Sequence, residues 1–154
     1  MAGHQFALVL CSPLSRARET CALAGLDSVT QITSDLCEWN YGVYEGRRTA
    51  DIQQEIPDWS IWTKGVIDGE GVTDVGKRAD RVITAALAAK GDVALFAHGH
   101  MLRILGACWL GMHPSAAQYL SLDTASISVL GYERETRVIR TWNQDWHLVP
   151  DTTL

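Results

Sequence analysis

Lysine is scarce in this sequence: only Lys64, Lys77 and Lys90 occur among 154 residues. No basic run exists, and 18 acidic residues outnumber 13 basic ones for a net charge of −5, which excludes the electrostatic footprint of a nucleic-acid binder. The remaining cations are arginines, whose planar fork suits a two-point grip on an anionic group. Apolar runs fall far below the roughly 18 residues of a membrane span, and no signal-peptide pattern is present, so a cytoplasmic address is expected. The four cysteines (Cys11, Cys21, Cys37 and Cys108) show neither C-x-x-C spacing nor a disulfide framework, as suits a reducing compartment. His98 and His100 form a His-x-His pair with no third ligand at a supporting spacing, so neither a metal nor another cofactor is expected. Repeats, linkers and low-complexity segments are absent. What is present, 47% apolar and 20% charged residues, describes one globular domain over 1–154. A chain of that length buries about 70% of its unfolded surface.

Phe6 to Cys11 is an unbroken apolar run that ends at Ser12-Pro13, the pattern of a strand buried on both faces in a parallel sheet. Pro13 opens a helix running from Leu14 to Gly25, with Leu14, Ala17, Cys21 and Ala24 on one side. Val29 to Ile32 reads as a short strand, Asp35 to Gly46 as an irregular aromatic and glycine-rich stretch, Thr49 to Glu55 as a short helix, and Trp59 to Gly71 as loop. Val72 to Lys90 is the clearest helix: Val72, Val75, Ala79, Val82, Ile83, Ala86 and Leu87 form its apolar stripe, while Lys77, Arg78, Asp80 and Arg81 point elsewhere. Val93 to Ala97 is a second buried strand, followed by a helix from Met101 to Leu110. Ser126 to Glu133 and Val138 to Asn143 alternate like strands and are joined by the polar turn Arg134-Glu135-Thr136; residues after Trp146 read as a tail. This order predicts an α/β three-layer sandwich with a mostly parallel central sheet.

Ligands of parallel sheets collect beyond the carboxyl ends of the strands, where helix N-termini also point. Two buried strands end there in polar residues: one delivers Ser12-Pro13-Leu14-Ser15-Arg16, the other Ala97-His98-Gly99-His100. Unpaired N–H groups and the positive end of the helix dipole attract an anion, Gly99 allows close backbone approach, and Arg16 and His98 add charge-assisted donors. Together they predict a phosphate or sulfate pocket. Glu38, set among Trp39, Tyr41 and Gly42, is a candidate general acid, because apolar neighbours would raise its pKa toward neutrality; the plainer alternative is that Glu38 caps a helix or pairs with an arginine.

Three blocks of the chain resemble the motifs of the histidine phosphatase (phosphoglycerate mutase-like) superfamily. Residues 11–20, CSPLSRARET, are similar to its S-P-L-x-R-A-x-x-T block; residues 38–46, EWNYGVYEG, to E-x-x-Y-G-x-x-E-G; and residues 96–103, FAHGHMLR, to S/A-H-G-x-x-x-R. The resemblance implies that Arg16 clamps the transferred phosphoryl group, that His98 donates to its oxygens and that Glu38 protonates the leaving oxygen. Tyr41, Gly99 and His100 match positions lining the substrate site, and Glu70 matches a position supporting the pocket. The implied activity is hydrolysis of small phosphomonoesters, sugar phosphates among them, by a cofactor-independent route through a phosphohistidine. Mutase-type isomerisation and phosphate binding without catalysis are the alternatives. The basic insertion that mutases carry after the glutamate motif has no counterpart here, which favours hydrolysis.

The family's Arg-His-Gly motif, which carries its nucleophile, occurs nowhere in the sequence. The resemblance therefore implies that the chain opens beyond the family's first strand, by about 50 residues, on the order of one βα unit or more. Little or no turnover is expected of it. His4 precedes the strand whose far end carries Ser12, and a six-residue strand spans about 20 Å, so His4 belongs at the opposite edge and cannot replace the nucleophile. Loss of that first strand is expected to deprive both motif-bearing strands of a neighbour, leaving open edges that invite homodimerisation.

Overall fold

The structure, a computed structural model, describes residues 4–148. Its elements in chain order are β1 (Leu8–Cys11), α1 (Ser15–Leu23), β2 (Thr30–Ile32), α2 (Thr49–Glu55), α3 (Val72–Ala88), β3 (Val93–Phe96), α4 (Gly99–Trp109), β4 (Ile127–Glu133) and β5 (Thr136–Gln144). Short 3-10 turns fill several of the connections. The three apolar strands pair in parallel in the order β2-β1-β3. One face of β1 sends Val9 and Cys11 toward Ala17 and Cys21 of α1; the other sends Leu10 into a core with α3 and α4. Helix, sheet, helix: the three expected layers are present, and the sheet is parallel as its unbroken apolar strands imply.

Two expectations need correction. First, β1 keeps a neighbour on each side, because β2 and β3 both pair with it, so of the two motif-bearing strands only β3 has an unpaired edge among the described residues. Strands β4 and β5 form a separate two-stranded antiparallel sheet and do not extend the first. Second, Arg78 does not point to solvent. It is buried between Val75 and Val82, at i+3 and i−4 on the same helical face, whereas Leu87 at the end of the stripe is 45% exposed.

Boundaries differ modestly. The helix α2 spans the same residues as its pattern. Helix α4 starts at Gly99 instead of Met101, because His98 is extended and acts as the N-cap. Helix α3 stops at Ala88 because Ala89 turns extended, with ψ 134°. The β4–β5 turn needs only Arg134 and Glu135, the first in the left-handed region at φ +53°. Trp146–Leu148 form a 3-10 turn; the rest of the expected tail, like the first three residues, lies outside the described residues. His4 is exposed and pairs with Asp92, just before β3, at the sheet edge away from Ser12 and His98. No helix among the described residues is long and apolar enough to cross a membrane.

Candidate active site

The registers of β1 and β3 decide where the two polar strand ends meet. Cys11 lies beside Phe96, and the ladder runs one step further through Ser12 N–H donating to Phe96 O at 2.9 Å. The chain after β1 and the chain after β3 therefore leave the sheet side by side. Ser12, fully buried, places its Oγ 2.7 Å from His98 Nε2. That hydroxyl also accepts from Leu14 N–H at 3.3 Å, so the Ser12 side chain is held between the start of α1 and the His98 ring. Burial of His98 lowers its pKa, and the nearby guanidinium of Arg16 lowers it further. Arg16 itself, in the first turn of α1, is exposed and makes no ion pair among the described residues. No side chain caps that helix N-terminus.

Glu38 is seated by the second helix. Its carboxylate accepts from Trp39 N–H at 2.9 Å, His100 N–H at 3.2 Å and Met101 N–H at 3.0 Å, so the first turn of α4 holds it. This differs from the expected site in two ways. The surroundings of Glu38 are polar donors more than apolar neighbours, and two α4 donors thought available to a phosphate already hold a side chain of the protein. Gly99 is exposed at this turn, where an added Cβ would meet only Glu38 Oε2 at 3.9 Å, an ordinary contact.

Tyr41 and His100 form the wall next to Glu38. The phenol oxygen lies 2.8 Å from His100 Nδ1, with the rings edge to face. Burial, then the negative charge of Glu38, push the Tyr41 pKa well up, so the phenol keeps its proton beside the His100 ring. Burial also lowers the pKa of His100, leaving a neutral ring. Both histidines stay neutral below the ordinary value of about 6.5. The unfolded chain then takes up protons first as pH falls, so the stability they support is present above about 6.5 and is lost progressively below it.

The sequence reading missed the device that holds this loop. Arg78 donates Nε and Nη2 to the two carboxylate oxygens of Glu70, each at 2.8 Å. Its Nη1 donates to Asp35 O and Cys37 O, also at 2.8 Å, and Nη2 reaches Glu38 O at 3.4 Å. Glu70 in turn accepts from Asn40 N–H through its carboxylate and from the Trp39 indole through its carbonyl. One buried cation thus gathers the backbone on both sides of Glu38. The spacing Val75, Arg78, Val82 was the available signal.

The geometry brings Arg16, Glu38, Tyr41, His98, Gly99 and His100 to one rim of the sheet, with two neutral imidazoles, one uncompensated guanidinium and one carboxylate around it. Among the described residues no group of three or more His, Cys, Asp or Glu side chains is placed to hold a metal ion. Fold and rim together define an α/β domain whose two motif-bearing strand ends open side by side.

Comparison with known proteins gives that class its family: the histidine phosphatase superfamily (branch 1) profile matches residues 1–145, and the chain belongs to that superfamily. It is 37% identical over 145 residues to an acid phosphatase of Mycobacterium tuberculosis, covering 93% of this chain and 71% of the relative. It is also 31% identical over 131 residues to the sedoheptulose 1,7-bisphosphatase of Saccharomyces cerevisiae, covering 68% of this chain and 48% of that protein. A solved structure from Mycobacterium tuberculosis superposes with a TM-score of 0.84 at 37% identity, over 89% of this chain and 72% of that one.

Proposed function

We propose that this chain, acting as one histidine-phosphatase-like domain, holds the phosphoryl group of a small phosphomonoester, sugar phosphates included, for hydrolysis. The observation that carries this reading is the convergence of the two strand ends: Ser12 and His98 are paired at 2.7 Å, and the charge of Arg16 reaches the His98 ring. In this reading Arg16 and His98 are the donors to the phosphoryl oxygens, and Glu38 is the acid for the leaving oxygen. Tyr41, Gly99 and His100 line the substrate. Phosphoryl transfer asks a protein mainly for positioning and charge stabilisation, which two converging donors and an acid supply.

Because the sequence contains no Arg-His-Gly, the phosphohistidine step lacks its usual nucleophile, and we expect the chain to bind phosphate with little or no turnover. A binding module without catalysis has the same site and differs only in turnover. Mutase-type isomerisation is disfavoured, since the cations between Trp39 and Gly71 are only Arg47, Arg48 and Lys64, and both arginines are paired, with Glu55 and Asp51. A reducing, cytoplasmic setting agrees with four unpaired cysteines, and the open edge of β3 is where a homodimer would form.

An aryl phosphate assay paired with thermal melts in phosphate or orthovanadate tests the proposal. We expect both anions to raise the melting temperature of the wild type, His98→Ala to lose that rise, and little phosphate to be released. Robust phosphate release that survives His98→Ala would overturn the assignment.

A further inference from the structure

Beside Tyr41 and His100 the rim opens into a cavity of about 650 Å³ whose other walls include Tyr44, Trp59, Trp62 and Arg103. A phosphoryl group needs only a small part of that space. Arg103 stands one turn after His100 on α4, and its guanidinium lies 4.7 Å from the Trp62 ring centre. Its Nε donates to Ala117 O at 3.2 Å and its Nη2 to Gln118 O at 3.4 Å; Nη1 makes no hydrogen bond among the described residues. Arg78, Arg81, Arg47 and Arg48 each meet a carboxylate, yet Arg103, half-buried, meets none. A cation held partly out of water without a direct ion pair is costly: burial opposes its charge, and the charge of Glu38 offsets only part of this from a distance. The stacked indole fixes the plane of the guanidinium and helps to offset that cost. Glu45, the acidic residue on the same cavity, directs one carboxylate oxygen to Tyr41 N–H.

We infer that Arg103, stacked on Trp62, is a second anion site, so that the preferred ligand is a phosphomonoester whose alcohol carries another anionic group, a carboxylate or a second phosphate. This rests on the phosphate reading of Arg16 and His98. The first phosphoryl group takes that pair, the carbon skeleton lies along Tyr41 and His100, and the second anion accepts from Arg103 Nη1. Arg103 only binds in this arrangement, and no bond is made or broken there.

Calorimetric titration with matched ligands tests the inference on the whole chain: inorganic phosphate, glycerol 3-phosphate against 3-phosphoglycerate, and fructose 1-phosphate against fructose 1,6-bisphosphate. The first pair tests a carboxylate and the second a phosphate. At least one anion-bearing ligand should bind about tenfold tighter than its partner, beyond the twofold statistical gain of a bisphosphate. Arg103→Met should erase that advantage and leave inorganic phosphate unchanged; Arg103→Lys should restore part of it. Equal affinities within both pairs would overturn the inference. So would an Arg103→Met that weakens every ligand alike, because Arg103 would then be supporting the fold. If inorganic phosphate does not bind at all, the phosphate reading fails and this inference with it. Phosphate that binds through His98 while neither pair shows a difference defeats the second site alone.

Discussion

Replacing Arg78 by Met should destabilise the domain by about 3 kcal/mol and lower its melting temperature by about 10 °C. The side chain is 11% exposed and its partner Glu70 26%, so removing the cation leaves a carboxylate largely out of water with its strongest donor gone. Three backbone carbonyls, those of Asp35, Cys37 and Glu38, lose a donor at the same time. The methionine stem still fills the space between Val75 and Val82, so most of the cost is electrostatic and not a cavity. Arg78→Lys keeps the charge but cannot reach both Glu70 oxygens and the carbonyls together, and should fall between wild type and Arg78→Met. Adding Glu70→Gln to Arg78→Met should cost less than the sum of the single changes, since the two groups act as one unit. Urea unfolding and thermal melts of the wild type, the three single variants and the double variant measure this. A shift of under 2 °C for Arg78→Met would mean that the clamp is dispensable.

Gly42→Ala should be nearly as damaging, by about 2–4 kcal/mol, for a different reason. Gly42 has φ +55°, and a Cβ there would lie 1.9 Å from Ile67 O and 2.7 Å from both Asp68 C and Gly69 N. The obstacles are backbone atoms, which cannot swing aside as a side chain can. Val43 N–H already donates to Ile67 O, so the two segments are fastened where the clash would fall. Separating them would move Tyr41 away from His100 and should also blunt phosphate binding. Gly46→Ala is the control. It shares a left-handed backbone, φ +73°, but its added Cβ would meet nothing within 4 Å. Only the conformational strain of about 1 kcal/mol remains. Equal melting temperatures for the two variants would contradict the packing argument.

These two positions also show what a sequence reveals and what it conceals. The short helix expected over Thr49 to Glu55 coincides with α2, and unbroken apolar runs found β1 and β3 as buried parallel strands, because these signals are local. Two residues of the candidate site were legible for the same reason: Arg16 and His98 follow directly from where two strands stop, whereas the contact of Ser12 with His98 was not foreseen. Arg78 was misjudged because charge was taken to mean solvent, although its spacing placed it on the buried face. Its partners lie 8 to 43 residues away, beyond any local pattern. Likewise nothing near Glu38 announces that its carboxylate rests on N–H groups some 62 and 63 residues further along. Strand order had no local signal either, which is why β1 turned out to be central and only β3 lies at the edge on that side.

All of the functional reading depends on Arg16 and His98 acting on one anion. An NMR titration with inorganic phosphate at neutral pH, following the histidine ring and arginine Nε–H signals, tests this most directly. Saturable shifts of the His98 ring and the Arg16 Nε–H are expected, fitting a single dissociation constant and disappearing in His98→Ala and Arg16→Ala. Shifts of one without the other, or no saturable response at all, would show that the two groups do not share a ligand.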